Sequence, residues 1–449
     1  MTLRRGYRLE PLVLVLVALA ALAPVDVANP QDETRYELTR HVVLFHTLTV
    51  EPQLFDRAVF AGRTYSDKAP GMSFLAVPAF SVERALGVAR APRDWAPQGD
   101  LSLWGIRVAT GGLLFLLCAL LLGRAAESLV AGTGAITAAS FGVATLASSV
   151  APTMFEHDAA ALFAFAGFLA AWGRPGALRL AVAGLLLGLA VLFQYSTALV
   201  GVAVAGYALS RVGRRALWLL LGAVPPAVVL GAYDWAAFGS PFHLSYRYVA
   251  NRYSESQRHG FFGLGLPTPH GLRETLVGAR GLLVFSPVLA ACAAGVWLMW
   301  RRGLRAEASV VAAVSVAFVL SDAGYFLPYG GNSPGPRFLV PALPFLLLGL
   351  PYALERMPAP TTALALASAL LTVCQSLTWA VRPEGGGVIP AHPVELLAKT
   401  VWVFLGLGYR EGAALAIAAS LAAVGVGAAL FHAARSAGSR PLAIRSSGS

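Results

Sequence analysis

Two clusters of ionisable side chains share one polar stretch of the chain: Asp32-Glu33 and, about thirty residues later, Tyr65-Ser66-Asp67-Lys68-Ala69-Pro70-Gly71. Lys68 is one of two lysines in a chain that otherwise takes its positive charge from arginine. An acidic pair and a lysine beside apolar runs suit the handling of a lipid phosphate. A carboxylate held against apolar surface at a membrane boundary can have a raised pKa and accept a proton from an alcohol. An ammonium group is a point charge for phosphate oxygens. Both clusters also have plainer roles. Asp32 and Glu33 open a helical pattern over 34–45, where acids at an N-terminus contribute about 1 kcal/mol, and Lys68 can pair with Asp67 at headgroup level. Pro70 fixes local direction, and Gly71 permits an unusual backbone turn.

Three further segments carry similar groups. Glu156-His157-Asp158 precedes an alanine- and phenylalanine-rich run, and charge at the mouth of an apolar helix is expensive unless used or solvated. Asp158 either caps that helix or functions. The turn Gly331-Asn332-Ser333-Pro334-Gly335-Pro336-Arg337-Phe338 presents Arg337 rigidly, which suits bidentate phosphate binding as well as plain headgroup anchoring. The loop Ser240–Tyr248, with His243 and Tyr246, fits sugar stacking, headgroup contact or an aromatic belt. There is no glycine-rich nucleotide loop and no HExxH, and Cys118, Cys292 and Cys374 each lie inside an apolar run. Soluble nucleotide-sugar chemistry is therefore unsupported. No cofactor is expected; a divalent cation is compatible with the acids but not indicated.

These residues must be positioned by membrane helices. Of 449 residues, 57% are hydrophobic and 13% charged, and mean hydropathy is +0.66, which makes the chain an all-α polytopic membrane protein. The formal charge of +11 comes from arginines set singly or in twos and threes between apolar runs, so they mark topology rather than a nucleic-acid face. About twelve spans are expected: 11–28, 104–123, 129–150, 158–173, 178–194, 196–210, 216–235, 281–300, 307–327, 338–353, 360–380 and 412–433. The piece 70–88 is long enough to cross but contains Pro78, Glu83 and Arg84. If it lies along the interface, Arg124, Arg174, Arg211, Arg301 and Arg356 fall on one side with the N-terminal Arg4, Arg5 and Arg8 and the tail residues Arg435, Arg440 and Arg445, as the positive-inside rule requires. The first apolar run reads as a retained signal-anchor helix rather than a leader cleaved after Ala18-Leu19-Ala20. One integral domain (1–449) results, with extracytoplasmic loops at 29–103 and 239–280, further outer segments at 330–337 and 382–410, and a cytoplasmic tail at 434–449.

In order and placement these residues resemble the polyprenyl-phosphate-sugar glycosyltransferases of the GT-C superfamily, in particular the family 39 branch of lipid A aminoarabinose transferases and protein O-mannosyltransferases. That branch has an Asp-Glu pair followed by Arg-Tyr, matched by Asp32-Glu33-Thr34-Arg35-Tyr36, and a Tyr-x-x-Lys-Pro-Pro-like motif, matched by Tyr65-Ser66-Asp67-Lys68-Ala69-Pro70. Asp158 matches an acid of the second outer loop, and Pro336-Arg337-Phe338-Leu339 a late Pro-Arg-aromatic-Leu turn. The match lies mostly in the first 175 residues. It implies a GT-C-like fold with interfacial helices in the first outer loop and an inverting hexosyl or pentosyl transfer from a polyprenyl-phosphate donor to an acceptor hydroxyl on a glycolipid, wall glycan or protein. The site would face outward from a bacterial plasma membrane. Asp32 would be the general base, oriented by Glu33 or Asp158. Lys68 and Arg337 would hold the lipid phosphate in place of a metal, and Arg35, Tyr36, Tyr65, Asp67, His157, His243 and Tyr246 are candidate substrate contacts. A transporter or flippase of lipid-linked saccharide is the alternative.

Overall fold

The computed structural model describes residues 10–25, 28–95, 100–331, 333–379 and 405–438. The N-terminal arginines Arg4, Arg5 and Arg8, Asn332, nearly all of the outer stretch 382–410, and Arg440 and Arg445 lie outside the described residues. The helices are α1 (Glu10–Ala21), α2 (Pro30–Phe45), α3 (Gly71–Ala85), α4 (Leu101–Arg107), α5 (Leu113–Leu129), α6 (Gly134–Val143), α7 (Ala147–Val150), α8 (His157–Ala171), α9 (Ala177–Phe193), α10 (Ala198–Val212) and α11 (Leu217–Phe238). They continue with α12 (Ser254–Arg258), α13 (Pro269–Val277), α14 (Leu282–Phe285), α15 (Val288–Arg301), α16 (Arg305–Gly324), α17 (Leu343–Leu346), α18 (Leu350–Arg356), α19 (Pro358–Trp379) and α20 (Tyr409–Gly438). The one sheet among the described residues is a hairpin, β1 (Ala58–Phe60) with β2 (Arg63–Tyr65), in the register Ala58↔Tyr65 and Phe60↔Arg63.

Among the described residues six helices are long and apolar enough to cross a bilayer, and a seventh if 269–285 and 288–301, bent by 94° at the break, form one span. The protein is thus an all-α polytopic membrane protein. Several of the expected crossings are not continuous helices. The run 129–150 turns at Gly132, φ +86°, and is broken at 144–146 into α6 and α7, and α8 and α9 are shorter than a full span. The residues of α6, α7 and most of α8 are buried, and backbone buried in protein need not be one unbroken helix at membrane depth. The 44-residue stretch Tyr195–Phe238 would extend about 66 Å as a straight helix, twice the apolar thickness of a bilayer. Gly213, at φ +58° and ψ −138°, breaks it beside Arg211, Arg214 and Arg215.

One apolar core runs from α1 to α20, and α8, α9 and α11 pack in succession. Two satellite cores pin the loop 29–103. Leu38, Val50, Ala58, Tyr65 and Phe238 join α2 and the hairpin to the end of α11. Tyr36, Ala76, Phe80, Trp95 and Ile106 join α2, α3 and α4.

Local sequence explains these elements. Asn29 caps α2, its side chain accepting from the amides of Gln31 and Asp32 at 3.0 and 3.1 Å, and Pro30 fills the first turn. Composition dominated by apolar helices hides the hairpin, yet its turn is legible: Ala61 and Gly62 both have positive φ, as a two-residue turn matched to strand twist requires. α3 has 15 residues and a length of about 22 Å, short of a crossing.

Gly71 opens α3, but its role is not an unusual turn. A Cβ there would lie 2.7 Å from the carbonyl oxygen of Leu192 at the end of α9, so the glycine lets α3 approach that helix. Gly71→Ala is expected to cost about 1–3 kcal/mol by overpacking, read as a lower thermal midpoint of the purified protein. A midpoint equal to wild type would show that the contact yields without strain.

Candidate active site

The hairpin ends at Tyr65, and Ser66-Asp67-Lys68 form the turn into α3. Three bonds fix that turn. Thr34 of α2 donates to Ser66 Oγ at 3.1 Å, the Lys68 amide donates to the same oxygen at 3.2 Å, and Ser245 donates to the Asp67 carbonyl at 2.9 Å. The two sequence clusters therefore meet on one face of the molecule, tied by Thr34, two residues after Asp32, and Ser66, two before Lys68.

A cavity of about 280 Å3 opens beside this turn, lined by Pro30, Gln31, Asp56, Asp67, Lys68, Phe155, Tyr253, Tyr325 and Arg337, among others. Lys68 Nζ sits 3.0 Å from Asp67 Oδ2 and 3.3 Å from Asp56 Oδ2. Burial disfavours its charge, but the two acids outweigh burial and hold the ammonium well above its ordinary pKa. Burial pushes Asp67 up to about 6 against the pull of Lys68, and its Oδ1 has no hydrogen-bond partner among the described residues.

Arg337 faces the same cavity and is 5% exposed. Its guanidinium lies 4.5 Å from the ring centre of Phe155 and 5.5 Å from that of Phe338. No carboxylate pairs with it among the described residues, and its Nε has no hydrogen-bond partner there. Asp56 and Tyr325 lie within electrostatic reach of both Lys68 and Arg337. Arg252, stacked against Phe55 and Tyr253, adds a third cation to the lining.

The acid expected to be the base is elsewhere. Asp32 is fully buried and does not line the cavity. Its Oδ2 accepts from Asn29 Nδ2 at 2.7 Å and from the Arg107 guanidinium, whose Nε is 2.9 Å away, and its Oδ1 accepts the Met154 amide at 2.8 Å. It is an anchor joining α2 to α4 and to the segment before α8. Glu33, the next residue, is half-buried and likewise absent from the cavity lining; its amide donates to the Asn29 carbonyl at 3.0 Å, and its carboxyl makes no hydrogen bond among the described residues. Burial, Asp32 and Asp56 raise its pKa.

Asp158, expected to orient the base, is 1% exposed, and neither of its oxygens finds a hydrogen-bond partner among the described residues. It is absent from the cavity lining. Among the expected substrate contacts only Asp67 lines the cavity. Arg35 is buried in an ion pair with Glu156 and bonds Gln31, and together with His157 it holds the Glu156 carboxyl down at about 2 despite the opposing effect of burial. Tyr36 donates to the Arg90 carbonyl at 2.7 Å and packs on Phe80 and Trp95. Tyr65 is buried against Phe238. His157 bonds Gln194 at 2.7 Å. His243 bonds the Phe238 carbonyl and Tyr248 within its own loop. Tyr246 packs on Tyr195 and Phe262, within electrostatic reach of Lys68.

Asp56, Tyr253 and Tyr325 escape sequence reasoning, because one carboxylate in a loop and tyrosines near span ends have no diagnostic spacing. Arg107 did give a signal. An arginine at the start of an apolar run requires a buried partner, and Asp32 is that partner. Among the described residues one group could hold a metal: Glu37, His41 and Glu51, whose ligand atoms lie within 4.8 Å of one another. They are absent from the cavity lining, and Arg40 already donates to Glu37 at 2.7 Å.

No family model and no curated protein sequence matches this chain. Solved structures do. ArnT from Cupriavidus metallidurans in the apo state aligns with a TM-score of 0.54 at 15% identity, covering 94% of this chain and 75% of that one. The same protein bound to undecaprenyl phosphate aligns with a TM-score of 0.54 at 15% identity, covering 95% and 77%. The archaeal oligosaccharyltransferase AglB from Archaeoglobus fulgidus aligns at 0.49 and 14% identity, covering 84% and 57%. This is the fold expected from the motifs; against the about twelve expected spans, six helices among the described residues are long and apolar enough to cross, or seven with the bent pair.

Two measurements follow from this geometry. Asp32→Asn leaves Arg107 buried without its counter-charge, and breaking such a pair costs about 3–5 kcal/mol. A large drop in thermal midpoint is expected, against a small one for Glu33→Gln. Binding of a phosphodiester, whose single charge does not change with pH, should tighten as pH falls from 7.5 through about 6. Asp67 loses its negative charge in that window and stops competing for Lys68. Asp67→Asn should bind equally well at both ends, and titration calorimetry would show either result.

Proposed function

We propose that the protein is a membrane glycosyltransferase that moves a sugar from a polyprenyl-phosphate carrier to an acceptor hydroxyl on the extracytoplasmic face of a bacterial plasma membrane, with inversion. The observation that carries this reading is a pair of cations facing one cavity, the half-buried Lys68 and the buried Arg337, with Arg337 lacking a carboxylate partner among the described residues. A buried cation without a counter-ion is costly and suits a site whose anion arrives as substrate. The likeness in fold to a protein solved with undecaprenyl phosphate supports the lipid class of the donor.

In this mechanism the acceptor oxygen attacks the anomeric carbon while its proton passes to a carboxylate. The bond from that carbon to the phosphate oxygen breaks, and the electron pair leaves with the lipid phosphate. The phosphate goes from one negative charge to two. Lys68 and Arg337 stabilise the added charge in a water-poor cavity, where fixed cations are worth most. Asp56 and Asp67 keep Lys68 protonated.

Direct displacement requires the base to stand on the side of the sugar away from the phosphate. Asp56 and Asp67 grip Lys68 and so belong to the phosphate side. Glu33, on the first turn of α2, does not itself line the cavity, but its carboxyl makes no hydrogen bond among the described residues and lies within electrostatic reach of the lining residue Asp56; we assign it as the base, with Asp32 anchoring the helix that carries it.

Incubating protein in liposomes with radiolabelled polyprenyl-phosphate sugar and a membrane extract should yield labelled acceptor. Translocation of donor without transfer would replace the enzyme reading with the transporter one. Glu33→Gln should lower kcat about 10²- to 10⁴-fold, the usual contribution of a positioned base. Lys68→Ala or Arg337→Ala should each lower it about 10²- to 10³-fold, as loss of a fixed charge-stabilising group does. If Asp32→Asn kept its thermal midpoint and lost transfer while Glu33→Gln retained it, the base would be Asp32.

A further inference from the structure

A second cavity lies at the other end of α2. It has a volume of about 360 Å3, and Arg40, Arg84, Arg90 and Arg93 line it against one acid, Asp94. Phe80 and Leu44 contribute apolar surface to the same lining. Arg40 lies nine residues beyond Gln31, which lines the first cavity, or about 13 Å along the helix. The two cavities are therefore separate sites on one rigid element.

The charges of this cavity are only partly balanced. Arg40 pairs with Glu37, Arg90 reaches the buried Asp100 at 3.3 Å, and Arg93 has an exposed contact to Asp94 at 3.7 Å. Arg84, on the last turn of α3, is exposed and has no ion-pair partner among the described residues. The chain is anchored from beneath, because the Arg90 carbonyl accepts from the buried Tyr36 hydroxyl. Beside the arginines stand three exposed apolar side chains, Val82 (59%), Leu86 (71%) and Val88 (46%). An apolar rim beside a cluster of guanidinium groups is the pattern of an element at the junction of acyl chains and headgroups, and guanidinium forks match phosphate oxygens.

We propose that this cavity binds the phosphate of an anionic lipid headgroup from the leaflet bordering this face, with the start of its acyl chains against Phe80, Leu44 and the rim residues. The inference rests on its own cavity and does not require sugar transfer. Bound lipid would hold the α3 end of the loop 29–103 against the membrane.

The test uses the full-length detergent-purified chain, titrated with short-chain phosphatidylglycerol, short-chain phosphatidylcholine and inorganic phosphate. Phosphatidylglycerol should bind tightest, and Arg84→Gln combined with Arg93→Gln should weaken it at least about tenfold, from the contribution of each basic residue near an anionic lipid. Both residues are exposed, so the thermal midpoint should not move. Arg258→Gln, which changes an exposed arginine of the loop 239–280, should bind as wild type does. Equal binding of the two lipids, inorganic phosphate binding as tightly as phosphatidylglycerol, or undiminished lipid binding by the double variant would each overturn the proposal.

Discussion

The buried pair of Asp32 and Arg107 is the constraint on which the rest of this site depends. Two opposite charges with no solvent exposure are stable only when geometry and hydrogen bonds compensate for lost hydration. Asp32 meets that requirement through Asn29, Arg107 and the Met154 amide together. One carboxylate thereby fixes three pieces of chain: the start of α2, the helix α4 at the head of a long apolar run, and the segment leading into α8. Once these are joined, Arg35 reaches Glu156, and Phe155 is placed beneath Arg337. Removing Asp32 would not delete one group from a cavity; it would release the frame on which the cavity is built.

Charge on this frame is sorted into pairs and one exception. Arg107 has Asp32, Arg35 has Glu156, and Lys68 has Asp56 and Asp67. Arg337 has the faces of Phe155 and Phe338 and no ion pair among the described residues, with Glu156 and Asp56 within electrostatic reach. Aromatic rings lower the cost of a desolvated cation without neutralising it, so a potential is left where the cavity opens. The acids around Lys68 are not redundant. A lysine buried alone loses its proton readily, and only the protonated form serves a phosphate.

Part of this arrangement was legible in the sequence. Lys68 stood out because lysine is rare here and follows an aspartate in a turn before a proline, and Arg337 because a proline- and glycine-rich segment delivers it. Charge asymmetry placed 70–88 off the list of crossings, and α3 has 15 residues. What could not be read depends on partners distant in sequence. Asp32 looked catalytic because it is acidic and near apolar chain, which is equally true of an acid bound to a buried arginine seventy-five residues away. Glu156 and Asp158 are two residues apart and fare oppositely, one paired with Arg35 and the other without a hydrogen bond among the described residues. Helical phase decides that, and spacing to an unknown partner does not. The unbroken apolar run 129–150 became two short helices because protein packing satisfied its backbone, a possibility that hydropathy alone does not register.

The unpaired state of Arg337 requires a turn that will not relax toward a carboxylate. Gly330 and Gly331 have φ of +71° and +88°, conformations that side-chain-bearing residues rarely adopt. A Cβ on Gly330 would come within 2.8 Å of Arg337 Nε, so the glycine makes room for the guanidinium itself. Further along, Ser333 donates to the Gly335 carbonyl at 2.8 Å, and the Ser333 carbonyl accepts from Arg280 at 2.9 Å. A Cβ on Gly335 would press on the Arg280 backbone at 3.0 Å. Unfavourable groups persist where surrounding structure over-determines them, and here the determined object is a guanidinium held at the cavity wall beside two aromatic rings. In the proposed transfer this turn would set the site's electrostatics in place before a phosphate arrives. The cost of ordering the charge is then met during folding and not at the moment of reaction.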